Sequence, residues 1–146
     1  MVRLVYALSG SRVAAEDIAQ EAFLRAYRDW ERVGSYEHQA AWVRRVATNL
    51  ATSGLRRRLL EARALARLAG RREPVLEPLP AEDADFGRAL RALPRRQGQA
   101  VALFYVEDLS VQQIAVVLDC AEGTVKAHLA KARHTLAKRL DQGEER

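Results

Sequence analysis

The chain contains few of the residues that build disulfide-rich, metal-binding or membrane-spanning proteins. Of its 146 residues, one is cysteine, three are histidine and four are proline. A single cysteine excludes an internal disulfide framework and fits a reducing cytoplasm. No apolar stretch is long enough to span a bilayer, and the first residues do not resemble a secretory signal. We therefore expect a cytoplasmic protein without membrane insertion.

Catalytic and ligand-binding patterns are also missing from the sequence. His38, His128 and His134 have no cysteine or acidic cluster at metal-ligand spacing, which favours ordinary hydrogen-bonded or solvated imidazoles over a metal site. No phosphate-binding loop or dinucleotide fingerprint occurs. Cys120 is interpreted as a small apolar packing residue rather than a redox group. The sequence therefore predicts a binding protein that is not an enzyme, with no cofactor, no metal and no small-molecule substrate.

The residues that are abundant favour helices. Alanine, leucine, arginine and glutamate dominate, apolar residues make up 49% of the chain, and long strand-like alternation is absent. The predicted fold class is therefore all-α. Pro74, Pro78 and Pro80 lie in an acidic stretch that has too few large apolar residues to pack alone. We predict two small, independently mobile helical domains at 1–69 and 86–141, a flexible linker at 70–85 and a tail at 142–146.

Positive charge is concentrated in two parts of the chain, which has a formal net charge of +5. Residues 40–69 contain seven arginines and one acid, and residues 123–140 contain five cations and no acid. Such basic surfaces attract nucleic acid, although a solvated helix face is the more common reason for a run of charge.

Residues 109–140 have the pattern of a helix-turn-helix. Ser110 and Gln113 have capping-box spacing, which predicts a first helix that begins at Val111. Asp119 tolerates the left-handed backbone that ends a helix. The second helix is basic, and its apolar stripe consists of Val125, Leu129, Ala132, Leu136 and Leu140. A capped helix and a short turn before a basic helix favour a recognition helix for the major groove over a merely solvated face.

The N-terminal half predicts two or three helices. In the helix from Ala14 to Trp30, a wide apolar stripe is typical of a core-facing surface and comprises Ile18, Ala22, Phe23, Ala26, Tyr27 and Trp30. The outer row of the same helix consists of Asp17, Gln20, Glu21 and Leu24. Both a solvated surface and a docking face for a basic partner fit this row.

A long helix is expected to resume near His38 and to run to Leu68. Its polar side carries Asn49 among arginines and close to Trp42, a combination that suits single-stranded nucleic acid, where bases stack and amides bind exposed base edges. Trp42 as a plain core residue fits equally well. Gly54 is expected to mark a kink or an end, because glycine weakens a helix.

With both halves placed, the chain resembles the extracytoplasmic-function (ECF) sigma factors of bacterial RNA polymerase. Residues 17–23, DIAQEAF, match the D-x-x-Q-E-x-F signature of region two in that family. Residues 41–49, AWVRRVATN, match the run A-W-L-x-R-I-A-x-N that follows it. Residues 93–100 and 114–126 match region four. The resemblance covers nearly all of residues 1–141 and rests on three motifs in the right order.

The resemblance implies a partner for each surface. Core RNA polymerase would bind Asp17, Gln20, Glu21 and Leu24. Promoter DNA would be opened at the minus-ten element, and a flipped base captured, by Tyr36, Trp42, Arg44, Arg45, Asn49, Arg56, Arg57 and Arg58. The major groove of the minus-thirty-five element would be contacted by Thr124, Lys126, Ala127, His128, Lys131 and Arg133. An anti-sigma factor is a further implied partner, and the nucleoid is the implied location.

The sequence departs from the family pattern at the recognition helix. Lys126 and Lys131 stand where arginine is common, and lysine cannot make the planar bidentate contact to guanine. His128 and Ala127 are therefore alternative determinants of the preferred sequence. The first helix, Val2 to Leu8, is also shorter than the family's first helix in region two, which could weaken polymerase binding.

Two other functions compete with this interpretation. Residues 123–129, GTVKAHL, also resemble the output helix of response-regulator transcription factors, which would predict a dimer on a palindrome and would leave the motif at 17–23 unexplained. A helical adaptor without DNA contact is the third reading, and it predicts no steep loss of DNA binding with salt.

Overall fold

Every regular element that the computed structural model describes, over residues 1–70 and 84–144, is an α-helix. The N-terminal half contains α1 (Val2–Ser9), α2 (Arg12–Arg28), α3 (Trp30–Val33) and α4 (Gln39–Leu68). The C-terminal half contains α5 (Ala84–Arg91), α6 (Arg95–Tyr105), α7 (Val111–Leu118) and α8 (Glu122–Glu144). The all-α prediction is confirmed.

The predicted linker and tail can be compared with the structure only at their edges. Most of the linker at 70–85 lies outside the described residues, and α5 begins at Ala84. The first three residues of the predicted tail continue α8 to Glu144. The boundaries of the two domains stay a prediction.

The corner between α1 and α2 follows from local backbone chemistry. Gly10 adopts a left-handed conformation with φ 75°, and its N–H donates to the Tyr6 carbonyl at 2.8 Å. Glycine takes this conformation without the steric penalty of a Cβ atom. Ser11 then caps α2, because its hydroxyl accepts a hydrogen bond from the Ala14 N–H at 3.2 Å. The short first helix predicted from the sequence is therefore present.

The buried side of α2 differs from the predicted one. It is formed by four alanines, Ala15, Ala19, Ala22 and Ala26. Phe23, Tyr27 and Trp30 were predicted to face the core, but they are 58%, 81% and 53% exposed. Phe23 and Tyr27 each follow a buried alanine by one residue, so they point about 100° away around the helix. The small residues let α2 pack closely on α1 and α4, while the aromatic rings remain at the surface.

Helix α4 is the central element of the N-terminal half and packs against both α1 and α2. Its deepest residues are Ala47, Thr48 and Ala51. Trp42 is half-buried, so it belongs neither to the deep core nor to a fully exposed surface. The helix does not end at Gly54, and it continues to Leu68 as the apolar periodicity predicted.

The two halves share one hydrophobic core. Helix α1 packs against α5 and α6, and α4 packs against α7. Leu4 and Leu8 from the N-terminal half belong to the same buried cluster as Leu90 and Leu103 from the C-terminal half. In this structure the halves therefore pack against each other, and their independent mobility stays a prediction. The apolar pattern of a helix marks which side is buried, but not which neighbouring helix covers it.

Candidate nucleic-acid interface

The turn of the helix-turn-helix has the predicted geometry. The Ser110 hydroxyl accepts from the Gln113 N–H at 3.1 Å, and the Gln113 side chain accepts from the Ser110 N–H at 2.9 Å. This confirms the capping box and the start of α7 at Val111. Asp119 is left-handed at φ 54°, and the Cys120 N–H bonds the Ala115 carbonyl at 3.0 Å. Backbone bonds of this kind fix the direction in which α8 leaves the turn.

Helix α8 is amphipathic in the way the sequence predicted. Its inner side is buried through Val125, Leu129, Ala132 and Leu136, whereas the side chain of Leu140 lies outside the described residues. The outer side presents Thr124, Lys126, Ala127, Lys131 and Arg133 to solvent, and His128 is half-buried beside them. The structure thus brings all six residues predicted to contact the minus-thirty-five element onto one accessible helix.

Arg133 is held by an aromatic pair that the sequence analysis did not single out. Its Nε donates to the Tyr105 hydroxyl at 2.9 Å. Its guanidinium carbon lies 5.5 Å from the centre of the Phe104 ring and 5.9 Å from that of Tyr105. Both distances fall within cation–π range. The sequence does not reveal this contact, because Tyr105 is 28 residues away from Arg133 along the chain. The packing of α6 on α8 brings the two residues together.

The outer row of α2 is accessible as predicted. Asp17 and Gln20 are exposed, Leu24 is 46% exposed, and Glu21 forms an ion pair with Arg25 at 3.0 Å. The exposed rings of Phe23 and Tyr27 lie beside this row and line a shallow groove together with Leu24. The surface is therefore more apolar than the four predicted residues alone would make it.

The residues predicted for the minus-ten element fall into several environments. Tyr36 and Arg57 are exposed. Trp42 is half-buried, and the half-buried Arg44 has its Nε 3.9 Å from a carboxylate oxygen of Glu107. The side chains of Arg56 and Arg58 lie outside the described residues.

Arg45 and Asn49 of α4 make hydrogen bonds to the C-terminal half. Arg45 donates to the carbonyl oxygens of Val117 and Val116 at 2.7 and 2.8 Å. The Asn49 side-chain oxygen accepts from Arg95 at 3.1 Å and from Gln99 at 3.3 Å. These two residues lie one helical turn apart, and in this structure both are occupied by protein partners.

Arg91, a residue of the C-terminal half, in turn donates a hydrogen bond to the N-terminal half. Its Nη1 donates to the Ala7 carbonyl in the last turn of α1 at 3.2 Å. Burial lowers the pKa of Arg91, and electrostatic interaction with Tyr6 partly opposes this effect. The cost of removing a guanidinium from water is reduced because a helix C-terminus carries partial negative charge.

The part of the chain that the structure describes contains no group of histidine, cysteine and acidic residues that could hold a metal ion. In that same part, no helix is both long and apolar enough to cross a bilayer.

A helix-turn-helix with an exposed basic second helix is typical of DNA-binding proteins, and comparison with known proteins makes the class specific. The family model described as Sigma-70 region 2 matches residues 1–59, and that described as Sigma-70, region 4 matches residues 83–136. The ECF RNA polymerase sigma factor SigW of Bacillus subtilis is 30% identical, over 94% of this chain and 81% of its own length. SigE of Mycolicibacterium smegmatis is 34% identical over 92% of this chain, which spans 54% of that protein.

A solved structure agrees with these sequence matches. The sigma factor RpoE of Bartonella quintana, crystallised with the anti-sigma factor NepR, is 26% identical to this chain. It superposes with a TM-score of 0.67 over 96% of this chain and 89% of its own. The chain belongs to the ECF sigma factors, which direct RNA polymerase to promoters and initiate transcription. The response-regulator alternative is not favoured, because it leaves the match at residues 1–59 unexplained.

Proposed function

We propose that three surfaces of this sigma factor divide promoter recognition among them. The observation that carries the proposal is the accessible cationic face of α8, which follows a capped scaffold helix and a turn fixed by backbone bonds. A helix presented in this way fits the major groove, where the minus-thirty-five element would be read. Lys126, Lys131 and Arg133 supply charge for phosphate contacts, and Thr124, Ala127 and His128 lie where base edges would be met.

The second surface is the basic side of α4, to which we assign the minus-ten element. Asn49 has an amide that can bind a base edge, Arg45 has a planar cation, and Trp42 offers a half-buried ring for stacking. Unstacking one base costs a few kcal/mol, which contacts to the flipped base must offset. Tyr36, Arg44 and Arg57, with Arg56 and Arg58, would add stacking and phosphate contacts along the strand.

The third surface is the outer row of α2, to which we assign core RNA polymerase. Leu24 provides an apolar centre, and Asp17, Gln20 and Glu21 provide polar and acidic groups around it. The exposed rings of Phe23 and Tyr27 enlarge this surface. An apolar patch with a polar rim is the usual composition of a protein interface.

Three further features complete the proposal. The protein would act without catalytic activity of its own, since its task is to bind and orient. It would work in the cytoplasm on the nucleoid, where promoter DNA lies. An anti-sigma factor would hold it inactive, by analogy with the Bartonella quintana protein that was crystallised with one.

The assignment of α8 can be tested by transcription in vitro with core polymerase on a library of promoters. Lys126→Ala together with Lys131→Ala should weaken use of the minus-thirty-five element, and should lower the salt dependence of promoter binding by about one per lost phosphate contact. Lys138→Ala is the matched control, because Lys138 is an exposed cation on the same helix about 10 Å beyond Lys131. Promoter selection by the double variant identical to that of the unaltered protein would remove α8 from the recognition role.

A further inference from the structure

A small pocket lies between α1 and the helices α5 and α6. It has a volume of about 200 Å³, and the residues that line it include Arg3, Tyr6, Phe86 and Tyr105. Sites for drug-sized ligands usually measure roughly 300–1,000 Å³. The pocket therefore has room for one flat ring system, whereas a larger molecule would extend out of its opening. None of its lining residues belongs to the three surfaces assigned above, so the pocket is independent of the proposed function.

Three aromatic rings line this pocket. Tyr6 and Phe86 are half-buried, and Tyr105 is 47% exposed. The Tyr105 ring is held in place, because its hydroxyl accepts the hydrogen bond from Arg133 and the edge-on ring of Phe104 lies 4.9 Å away, centre to centre. Aromatic rings attract one another in offset-stacked and edge-to-face arrangements. The pocket is therefore better suited to a flat aromatic ligand than to an aliphatic one.

The surroundings of the pocket carry positive charge. Arg3 lines the pocket and is exposed, and it forms no ion pair with any carboxylate of the described residues. Arg12 has no such partner either, and its guanidinium carbon lies 6.0 Å from the centre of the Tyr6 ring. Guanidinium groups bind carboxylates and phosphates through charge-assisted hydrogen bonds. An anionic group at the opening would thus meet two arginines that no described carboxylate neutralises.

The acidic residues that are closest in sequence to the pocket bind other groups. Asp85 pairs with Arg88 in the same helix. The carboxylate of Glu107 lies 3.1 Å from the amino nitrogen of Met1. Neither acid lines the pocket, and a carboxylate with a cationic partner repels an incoming anion less than a free carboxylate does.

We propose that this pocket binds a nucleoside monophosphate, with the base among the three rings and the phosphate at the opening beside Arg3 and Arg12. A nucleotide unites the two properties that the pocket selects, a flat aromatic ring and an anionic group. Its base matches the limited volume, and its sugar and phosphate can remain outside the rings. Binding would join α1 to α5 and α6, and would therefore stabilise the folded protein.

The pocket is connected to the recognition helix through Tyr105. The ring of Tyr105 lines the pocket, while its hydroxyl accepts a hydrogen bond from Arg133 on α8. A base that stacks on this ring would restrict its motion and would keep Arg133 in position for DNA. A bound nucleotide should therefore raise the promoter affinity of the holoenzyme by about two- to threefold. This consequence rests on the proposed role of Arg133, whereas binding of the nucleotide does not.

Nucleotide binding can be tested by nuclear magnetic resonance of the isotopically labelled free protein. The probes are the ribonucleoside monophosphates of adenine, guanine, cytosine and uracil. At least one of them should shift the backbone amides of Arg3, Tyr6, Phe86 and Tyr105 in a saturable way, with a dissociation constant below about 1 mM. The matching nucleoside and inorganic phosphate should each bind about tenfold more weakly, because each lacks one of the two groups that the pocket recognises.

Single substitutions separate the contributions of the phosphate and the base. Arg3→Glu reverses an exposed charge, leaves the core intact and should weaken nucleotide binding about tenfold. The matched control is Arg28→Glu, which reverses an exposed arginine about 24 Å from Arg12 along α2 and should leave binding unchanged. Phe86→Leu keeps an apolar side chain without the ring, so it should weaken binding of nucleotide and nucleoside alike. Circular dichroism shows whether this variant folds, and Arg3→Glu decides the test if it does not.

The link to DNA can be tested by fluorescence anisotropy of the holoenzyme on a promoter fragment, with and without saturating nucleotide. The unaltered protein should bind the promoter more tightly when the nucleotide is present. Tyr105→Phe should show no such gain, because its ring no longer holds Arg133. Arg3→Glu should show none either, and this control excludes an effect of the nucleotide on polymerase itself.

Several results would overturn nucleotide binding at this pocket. One is the absence of saturable shifts at the pocket with all four nucleotides, and another is equal affinity of Arg3→Glu and Arg28→Glu. Binding of a short single-stranded oligonucleotide without binding of any mononucleotide would show a nucleic-acid site instead. If a nucleotide bound but promoter affinity stayed the same, while Arg133→Ala still weakened promoter binding, the link through Tyr105 would be wrong. Unchanged promoter binding by Arg133→Ala would count against the proposed function and not against the pocket.

Discussion

Replacing Tyr105 with phenylalanine should weaken promoter binding by acting through Arg133. The substitution removes the hydroxyl that accepts the Arg133 Nε–H at 2.9 Å. It keeps the aromatic ring, whose centre lies 5.9 Å from the guanidinium, and leaves Phe104 in place. Because the pair is exposed and the ring remains, we expect the free energy of unfolding to change by no more than about 0.5 kcal/mol.

The expected effect on DNA binding comes from the freedom that Arg133 regains. Fixing a long side chain at an interface costs about 0.5 to 1.5 kcal/mol of conformational free energy. The hydrogen bond to Tyr105 already restricts the Arg133 side chain before DNA binds, so part of this cost does not arise on binding. Without the hydroxyl, promoter affinity of the holoenzyme should fall about two- to tenfold. Fluorescence anisotropy with a labelled promoter fragment that spans the minus-thirty-five element measures this change.

A double-mutant cycle shows whether Tyr105 acts through Arg133. Arg133→Ala should weaken promoter binding by itself, and Tyr105→Phe should then cause no additional loss. If Tyr105→Phe lowered the affinity equally in the presence and absence of the Arg133 side chain, the hydroxyl would have a separate effect, and the reasoning would be wrong.

Two further predictions concern the helices of the core and the surface of α2. Gly54→Ala should stabilise the protein by up to about 1 kcal/mol in urea unfolding, because beyond its chain neighbours and the adjacent backbone of its own helix the new methyl group meets no atom within 4 Å. Gly98→Ala should not stabilise the protein, because its methyl group would lie 3.2 Å from the Leu90 carbonyl oxygen. Equal effects at both glycines would contradict this account. Leu24→Ser should reduce copurification with core polymerase and barely change stability, whereas the exposed Val13→Ser on the same helix should leave both unchanged. Equal polymerase binding by the two serine variants would exclude Leu24 from the interface.

The helix-turn-helix could be predicted from the sequence because its determinants are local. The capping box of Ser110 and Gln113 spans four residues, and the left-handed Asp119 follows directly after the helix that it ends. Each of these signals depends on backbone groups at a fixed separation along the chain. The exposed side of α8 follows from the same local periodicity, since Val125 and Leu129 must face inward.

The contacts between the halves could not be predicted in this way. Arg45 lies 72 residues from Val117, and Asn49 lies 50 residues from Gln99. Nothing in the sequence around Arg45 distinguishes an arginine that binds a helix end from one that binds DNA. The carbonyls of a helix end carry partial negative charge and a phosphate carries a full one, and both accept hydrogen bonds from a guanidinium. The exposed position of Phe23 was missed for a related reason. The apolar pattern predicts the bulky aromatic ring as the core contact, whereas the adjacent Ala22 is buried and allows closer helix packing.

The continuous apolar core between the halves has a calorimetric consequence. Burial of apolar surface lowers the heat capacity of a system, and exposure raises it. If polymerase separates α1 from α5 and α6, water gains access to leucines such as Leu8 and Leu90 at the same time as the α2 surface is covered. Titration calorimetry at several temperatures would then show a smaller decrease in heat capacity on polymerase binding than the apolar area buried at the α2 surface predicts.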